Sequence, residues 1–227
     1  MPFNSVSKID DLVPVRNVII SVYDKTGLEE WASGLLDACP GIRMYSTGGT
    51  YRALESILGA AADGVLTSME VYTGQPEMKG GLVKTLDWKI YLGLLSEPYD
   101  EDHEADRSRA GAVAFDMVVG NLYPFESVSS APGPFEGTRQ NIDIGGPCML
   151  RASAKNFLRV AGVCDPEEYP VLLAELRRTG GSLCLDTRLR LARKVFETTS
   201  RYDAAIARFL SSKTEAELSG EYRVAER

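Results

Sequence analysis

An open, mostly parallel α/β sheet with helices on both faces is the fold class this sequence predicts, and three observations lead there. Short, near-continuous apolar runs of strand length recur along the chain, as strands buried on both faces do. Segments with apolar residues at helical spacing lie between them. Loops rich in Gly, Ser and Thr follow the carboxyl ends of those strands, where open parallel sheets place a ligand crevice. The chain has 227 residues, 44% of them hydrophobic, enough for one large domain with an ordinary core. Residues 1–15 read as an N-terminal extension, 16–212 as the domain and 213–227 as a charged tail.

Asn17–Val22 (NVIISV) is a β-branched apolar run of strand length. LEEWASGLLDA follows, with Leu28, Trp31, Ala32 and Leu35 at helical spacing. Thr26 and Glu29 fit a capping box at its start, and Pro40-Gly41 ends it. Ile42–Tyr45 predicts a second strand, STGGT a turn, Tyr51–Leu58 a helix and Val65–Val71 a weaker strand. Residues 97–111 and 129–138 read as loops, and Ala112–Leu122 as a long buried strand. The second half is more helical. Asn141 to Pro147 forms a turn feeding a helix, with Pro147 near its first position. Val160–Cys164 predicts a strand, Pro166–Arg178 a helix, and Thr187–Ser211 a long additional C-terminal helix with Asp186 as N-cap. The last fifteen residues are mostly charged and polar, which predicts loose order.

Several function classes drop out on composition. No apolar segment approaches the roughly 20 residues needed to cross a bilayer, and MPFNSVSKIDDLV lacks the basic start and apolar core of a secretory signal. The expected location is cytoplasmic, with no membrane partner. The four cysteines are far apart with no CxxC pair, so reduced thiols are expected and no metal site. A net charge of −7 argues against a nucleic-acid partner but leaves room for a small phosphorylated ligand. The single histidine, His103, sits in the acidic stretch EPYDEDHEAD. Chemistry here has to come from Lys, Asp, Tyr, Ser/Thr and backbone groups.

Ser21 to Gly27 (SVYDKTG) and Ser46 to Thr50 (STGGT) each place hydroxyls and glycines between a strand end and a helix start. Unpaired N–H donors and the positive end of the helix dipole suit a phosphate there. Taken alone, either is more often an ordinary cap. KGGLVKTLDWK, carrying Lys84, is also what a solvated basic loop looks like, and Tyr123 of NLYPF what a loop anchor looks like. Asp143 of NIDIGG could equally be a turn residue. Arg151 and Lys155 share one helix face, the usual pattern of an exposed surface.

The joint order of these segments is the stronger signal. From about Asn17 to Leu210, SVYDKTG, STGGT, TGQPEMKGG, VKTL, DMVVGNLYPF, NIDIGGP, LRASAKN, SLCLDTRLRLA and FETTSRYDAAIA resemble the IMP cyclohydrolase domain. That domain is normally the N-terminal half of a bifunctional enzyme that also holds AICAR transformylase. The resemblance implies a methylglyoxal-synthase-like fold, a homodimer, and closure of the formylated ribotide FAICAR to inosine monophosphate with loss of water and no cofactor. It also implies a functional link to a separate transformylase, since the chain stops where that half would begin.

By the same resemblance Lys84 stabilises the developing oxyanion and Tyr123 donates near the departing oxygen. Asp143 and Lys155 activate the carboxamide. Ser21, Lys25, Thr26, Ser46, Thr47, Gly48, Thr50 and Thr85 hold the phosphate, and Asn121, Ile144, Gly145 and Gly146 hold the rest of the ligand. Where the family commonly reads GRVKTLHP, this chain has Leu82, Asp87 and Trp88. A non-catalytic purine-nucleotide-binding regulatory module of the same fold is the alternative reading. A methylglyoxal synthase would require a histidine near its substrate, and a purely structural protein would leave the quartet Lys84, Tyr123, Asp143 and Lys155 without a role. Pro147 to Lys155 spans about 12 Å of ideal helix, so Asp143 and Lys155 meet only if the lysine reaches back, the chain bends or the ligand lies between them.

Overall fold

The structure, a computed structural model, describes residues 5–76 and 85–223. In chain order these form β1 (Val13–Pro14), β2 (Asn17–Val22), α1 (Leu28–Ala38), β3 (Arg43–Ser46), α2 (Gly48–Leu58), β4 (Leu66–Ser68) and α3 (Met69–Thr73). Next come α4 (Trp88–Leu95), α5 (Glu101–Arg109), β5 (Met117–Asn121), α6 (Phe125–Ser130), α7 (Phe135–Arg139) and α8 (Gly145–Lys155). The chain continues with β6 (Ala161–Val163), α9 (Tyr169–Thr179), β7 (Ser182–Leu183), α10 (Leu185–Ser211) and α11 (Glu215–Glu221). Among the described residues the central sheet has the order β4-β3-β2-β5-β6, and each neighbouring pair is parallel.

Alternation along the strands sorts the side chains between two cores, because successive Cβ atoms point to opposite faces. Val18, Ile20 and Val22 of β2 join Met117 and Val119 of β5 under α1, α2 and α9, with Trp31 and Leu172 fully buried. Ile19, Tyr45 and Val118 face the other way, into Ile90 and Leu94 of α4, Leu150 of α8 and Val195 of α10. Burying both faces explains why β2 and β5 read as continuous apolar runs. Helices on both faces of a parallel sheet, with C-terminal helices added, are the architecture expected.

Details differ from expectation where local chemistry overrode pattern. Gly27, in the left-handed region at φ 68°, caps α1, while the Thr26 hydroxyl and amide both bond the Asp24 carboxylate; the Thr26–Glu29 box does not form. STGGT is the first turn of α2 as well as a turn. Residues 97–111 contain α5, capped by the Asp100 side chain on the His103 amide and braced by Arg107–Glu104 and Arg109–Asp106 pairs. The long buried run is strand only over Met117–Asn121, because the stretch before it is used elsewhere: Phe115 N–H donates to Gly93 in α4. Val65–Val71 gives a three-residue strand and then α3. Residues 129–138 hold the end of α6 and the start of α7. Cys184, not Asp186, occupies the N-cap of α10. The charged tail forms α11, closed by a capping box between Thr214 and Glu217.

The first residues are tied to the body as well. β1 pairs antiparallel with β7, Val13 opposite Leu183. Arg188 of α10, 1% exposed, spreads its guanidinium over the main-chain carbonyls of Asp10, Asp11, Phe157, Leu158 and Leu183. The planar five-donor fork of arginine suits such a cluster of acceptors, and the point charge of lysine does not. Arg188→Met keeps the bulk but strands these carbonyls, so it is expected to cost about 3–5 kcal/mol in urea unfolding. A loss below about 1 kcal/mol would show that the fork holds nothing together.

Candidate active site

The chain leaves β2 toward β3 and leaves β5 toward β6, on opposite sides of the sheet. Where two adjacent parallel strands send their connections apart, a crevice opens beyond their carboxyl ends. Val22 pairs with Asn121 at that edge, and a cleft of about 360 Å³ lies there, within the range of small-molecule sites. Its walls come from four loops. Ser21 and Val22 end β2, and Tyr23 and Lys25 follow it; Thr47, Gly49 and Thr50 follow β3; Asn121 ends β5 and Tyr123 follows it; and residues 140–146 lead into α8, with Thr85 and Met149 completing the lining.

The loops after β2 and β5 are fastened together by Asn121. Its carbonyl oxygen accepts the amides of Tyr23 and Asp24 at 2.7 and 2.9 Å, and its Nδ2 donates to the Asp24 carbonyl at 2.8 Å. The rings of Tyr23 and Tyr123 then meet edge to face, their centroids 5.2 Å apart, and both remain largely exposed at the cleft. Asn121 thus lines the cleft while its amide is engaged by the framework.

A second framework pair underlies the anion end. The Ser46 hydroxyl donates to the Ile20 carbonyl at 2.6 Å and is fully buried. The Thr50 hydroxyl donates to the Val22 carbonyl and accepts the Val22 amide, at 2.9 and 3.1 Å. These groups fix β2 against β3 and α2. Facing the cleft instead are Ser21 and Thr47, whose hydroxyls stand 3.4 Å apart, and Lys25, whose ammonium donates to the Tyr23 carbonyl at 3.3 Å. Gly48 adopts φ +46°, a left-handed conformation that favours glycine, and Gly49 and Thr50, in the first turn of the eleven-residue α2, line the same space. Helix N-terminal amides, two hydroxyls and one ammonium make a surface suited to a phosphate dianion. Ser46, Thr26 and Gly48 do not line the cleft themselves.

Asp143 lines the same cleft. Its Oδ1 accepts the Gly146 amide at 3.0 Å, and a Cβ on Gly146 would fall 2.5 Å from its Oδ2. A Cβ on Gly145 would collide with the Thr85 hydroxyl. The double glycine therefore lets the carboxylate and Thr85 approach the start of α8 from two sides. Burial pushes the Asp143 carboxyl above its ordinary range, and the Gly145 and Gly146 amides draw it only partly back. Ile144, 54% exposed, presents an apolar face to the opening.

Of the expected quartet, Tyr123 and Asp143 line this one cleft. Lys155 is exposed at the far end of α8, ten residues beyond Gly145, and is not among the cleft residues. Lys84 and Leu82 lie outside the described residues. Asp87 caps α4 by accepting the Lys89 amide at 2.8 Å, and Trp88 is 73% exposed. Sequence reasoning missed Val22, Tyr23, Gly49, Gln140, Asn141, Ile142 and Met149. The first six lie within three residues of an expected one, so closeness along the chain was the available signal. Met149 is reachable only through the helical phase of α8.

Comparison with known proteins bears on this arrangement. Residues 153–226 match the family profile described as AICARFT/IMPCHase bienzyme. The chain is 46% identical over 198 residues to the bifunctional purine biosynthesis protein PurH of Chlorobium luteolum, covering 87% of this chain and 36% of that protein. It is 43% identical over 201 residues to the PurH of Rhizobium rhizogenes, covering 88% and 36%. The crystal structure of ForH superimposes with a TM-score of 0.74 at 33% identity, covering 86% of this chain and 97% of that one. The chain spans a little over a third of the length of the curated relatives it matches. With sequence likeness running through the segments that build the cleft and the fold shared almost end to end with ForH, the chain belongs to the AICARFT/IMPCHase bienzyme family.

Proposed function

We propose that this chain catalyses ring closure of FAICAR to inosine monophosphate in purine biosynthesis. The observation that carries this reading is the composition of the cleft at the switch point. Ser21, Lys25, Thr47 and the start of α2, which together suit an anion, line the same cleft as the Asp143 carboxylate and Tyr123. A ribotide carries the matching groups, a phosphate at one end and a reacting heterocycle at the other. The PurH relatives, named for purine biosynthesis, support it.

The chemistry asks for little beyond positioning. The carboxamide nitrogen attacks the formyl carbon of the same molecule and loses one proton; the formamide nitrogen then gives up its own proton as its bond to that carbon becomes double and the C–O bond breaks, so the formyl oxygen leaves as water carrying those two protons. Phosphate anchoring and an apolar contact from Ile144 hold the substrate near its attack geometry, which can lower the barrier by several kcal/mol. Asp143 takes the carboxamide proton. Tyr123 donates to the oxygen as it gains charge. Lys84, adjoining Thr85 in the sequence, supplies the cation for that oxygen in this reading. No cofactor enters the scheme.

Ring closure is followed directly by ultraviolet absorbance. Purified chain is expected to turn FAICAR over well above buffer and to keep its rate in excess chelator. Binding of inosine monophosphate without turnover would instead establish the regulatory nucleotide-binding module.

The Asp143 role fixes a pH dependence. A base must be ionised, and burial holds this carboxyl above its ordinary range, so activity is present above the raised pKa and is lost as pH falls through it. The acid limb of kcat/KM is expected at higher pH than a free aspartate would give. Asp143→Asn is expected to lower kcat on the order of 10²–10⁴-fold and abolish the limb. A limb unchanged in the variant would assign it to another group.

Lys155 enters the reaction only if a second protomer brings it to a cleft, and a homodimer supplies that route. Its exposure, at the end of α8 away from its own Asp143, supports the arrangement. Mixing inactive Lys155→Ala and Asp143→Asn chains is then expected to restore about a quarter of the activity through mixed dimers carrying one intact site. No recovery on mixing would place Lys155 outside the reaction or inside its own protomer's site.

A further inference from the structure

The segment FETTSRYDAAIA lies on α10, a helix that contributes no residue to the lining of the cleft. One of its side chains nevertheless reaches the catalytic wall. Tyr202 is 8% exposed, and its hydroxyl sits between two main-chain groups of the turn before α8. It accepts the Asp143 amide at 2.7 Å and donates to the Asn141 carbonyl at 3.0 Å. The ring itself packs on Phe125, centroids 6.0 Å apart, and with Ala205 and the partly buried Leu122, Ile142 and Phe209 it forms a small separate core. That core joins the end of β5, the turn at 141–143 and α10.

We propose that Tyr202 is a positioning residue for Asp143, its hydroxyl holding the 141–143 turn so that the carboxylate faces the cleft; the proposal rests on the role given above to Asp143. The geometry is selective for a phenol. A single oxygen has to act as acceptor and donor at once across a one-residue gap in the chain, which a hydroxyl does and an amine or amide does less well. It also has to stay protonated to donate. Burial pushes its pKa up to about 12, so the bridge persists across the working pH range. The two groups it bridges have no helix or strand to pair with, since the turn precedes the first residue of α8. Without the hydroxyl they revert to water, and the Asp143 backbone becomes free to rotate. The rest of the wall would feel this less, because Gly145 and Gly146 lie within α8.

Tyr202→Phe removes one oxygen and leaves the ring in its core, so folding is expected to persist. Two measurements on the full chain test the proposal. Amide hydrogen exchange over residues 141–146 is expected to speed up at least tenfold in the variant, while β2, β5 and α10 keep wild-type protection. In the ring-closure assay kcat is expected to fall about 10- to 100-fold with KM changed less than about threefold, as displacement of one reacting group by an ångström would produce. Unaltered exchange at 141–146, or a kcat that follows only the folded fraction, would overturn it. Were the wild-type chain itself inactive on FAICAR, the fault would lie with the proposed reaction, and the exchange result would still decide whether Tyr202 holds the turn.

Discussion

The cleft depends on how the chain solves one problem at the carboxyl edge of its sheet. β2 and β5 lie side by side, yet their following loops leave in opposite directions, so strand-end amides and carbonyls there have no ladder partners. Tyr23 and Asp24 are exposed, so their main-chain groups turn to a side chain or to water. The Asn121 carboxamide answers with three hydrogen bonds to the Tyr23–Asp24 main chain, both of its ends used in one plane. This bond set determines where the β2 loop runs, and with it where Tyr23, Tyr123 and Lys25 stand. Asn121 is expected from family likeness to touch ligand. The structure shows it to be first the clasp of the site, and any bond it makes to a ligand has to be shared with the framework.

A similar division runs through the other polar groups. Side chains at the ends of parallel strands have to satisfy the backbone before anything is left for a ligand. Ser46 and Thr50 do this, stitching β2 to β3 and α2 with hydroxyl bonds of 2.6 to 3.1 Å. What remains for an anion is the set one layer further out: Ser21, Thr47, Lys25 and the opening amides of α2. Among the described residues those groups offer donors and one cation, Lys25, and the helix terminus adds its partial positive charge.

How much of this was legible in the sequence follows the same line. β2 and α1 were read to the residue, because a strand buried on both faces and a helix with one apolar stripe leave unambiguous patterns. The three loops that follow strands were placed on one edge from strand order alone. What pattern missed was decided by single hydrogen bonds. Thr26 had the right spacing to Glu29 for a capping box, but Asp24 two residues earlier offered its hydroxyl a nearer acceptor. Asp186 was a good N-cap type two positions too late. The acidic stretch around His103 read as loop because its helix gains stability from an Asp100 cap and i,i+3 ion pairs rather than from an apolar face. At the site, sequence supplied the residues but not their duties. Nothing in the string distinguishes Thr47 from Thr50: both line the cleft, but the Thr50 hydroxyl is already taken by the Val22 main chain. Lys155 appears in the motif and yet stands a helix length away from Asp143.

The single histidine sharpens the chemical consequence. His103 lies on α5, where its Nδ1 accepts the Glu97 amide at 3.2 Å, and it takes no part in the cleft. A base working near neutral pH then has to be a carboxylate raised or a lysine lowered from its ordinary range. Asp143 carries the first kind of shift, and the cause is geometric: the double glycine lets the carboxylate sink against the start of α8, where lost hydration outweighs the two amides that favour its charge. The same closeness that raises its basicity fixes its direction. An alanine at Gly146 would push on the carboxylate itself, so the glycines that look like turn residues in the sequence govern both the strength and the aim of the proposed base.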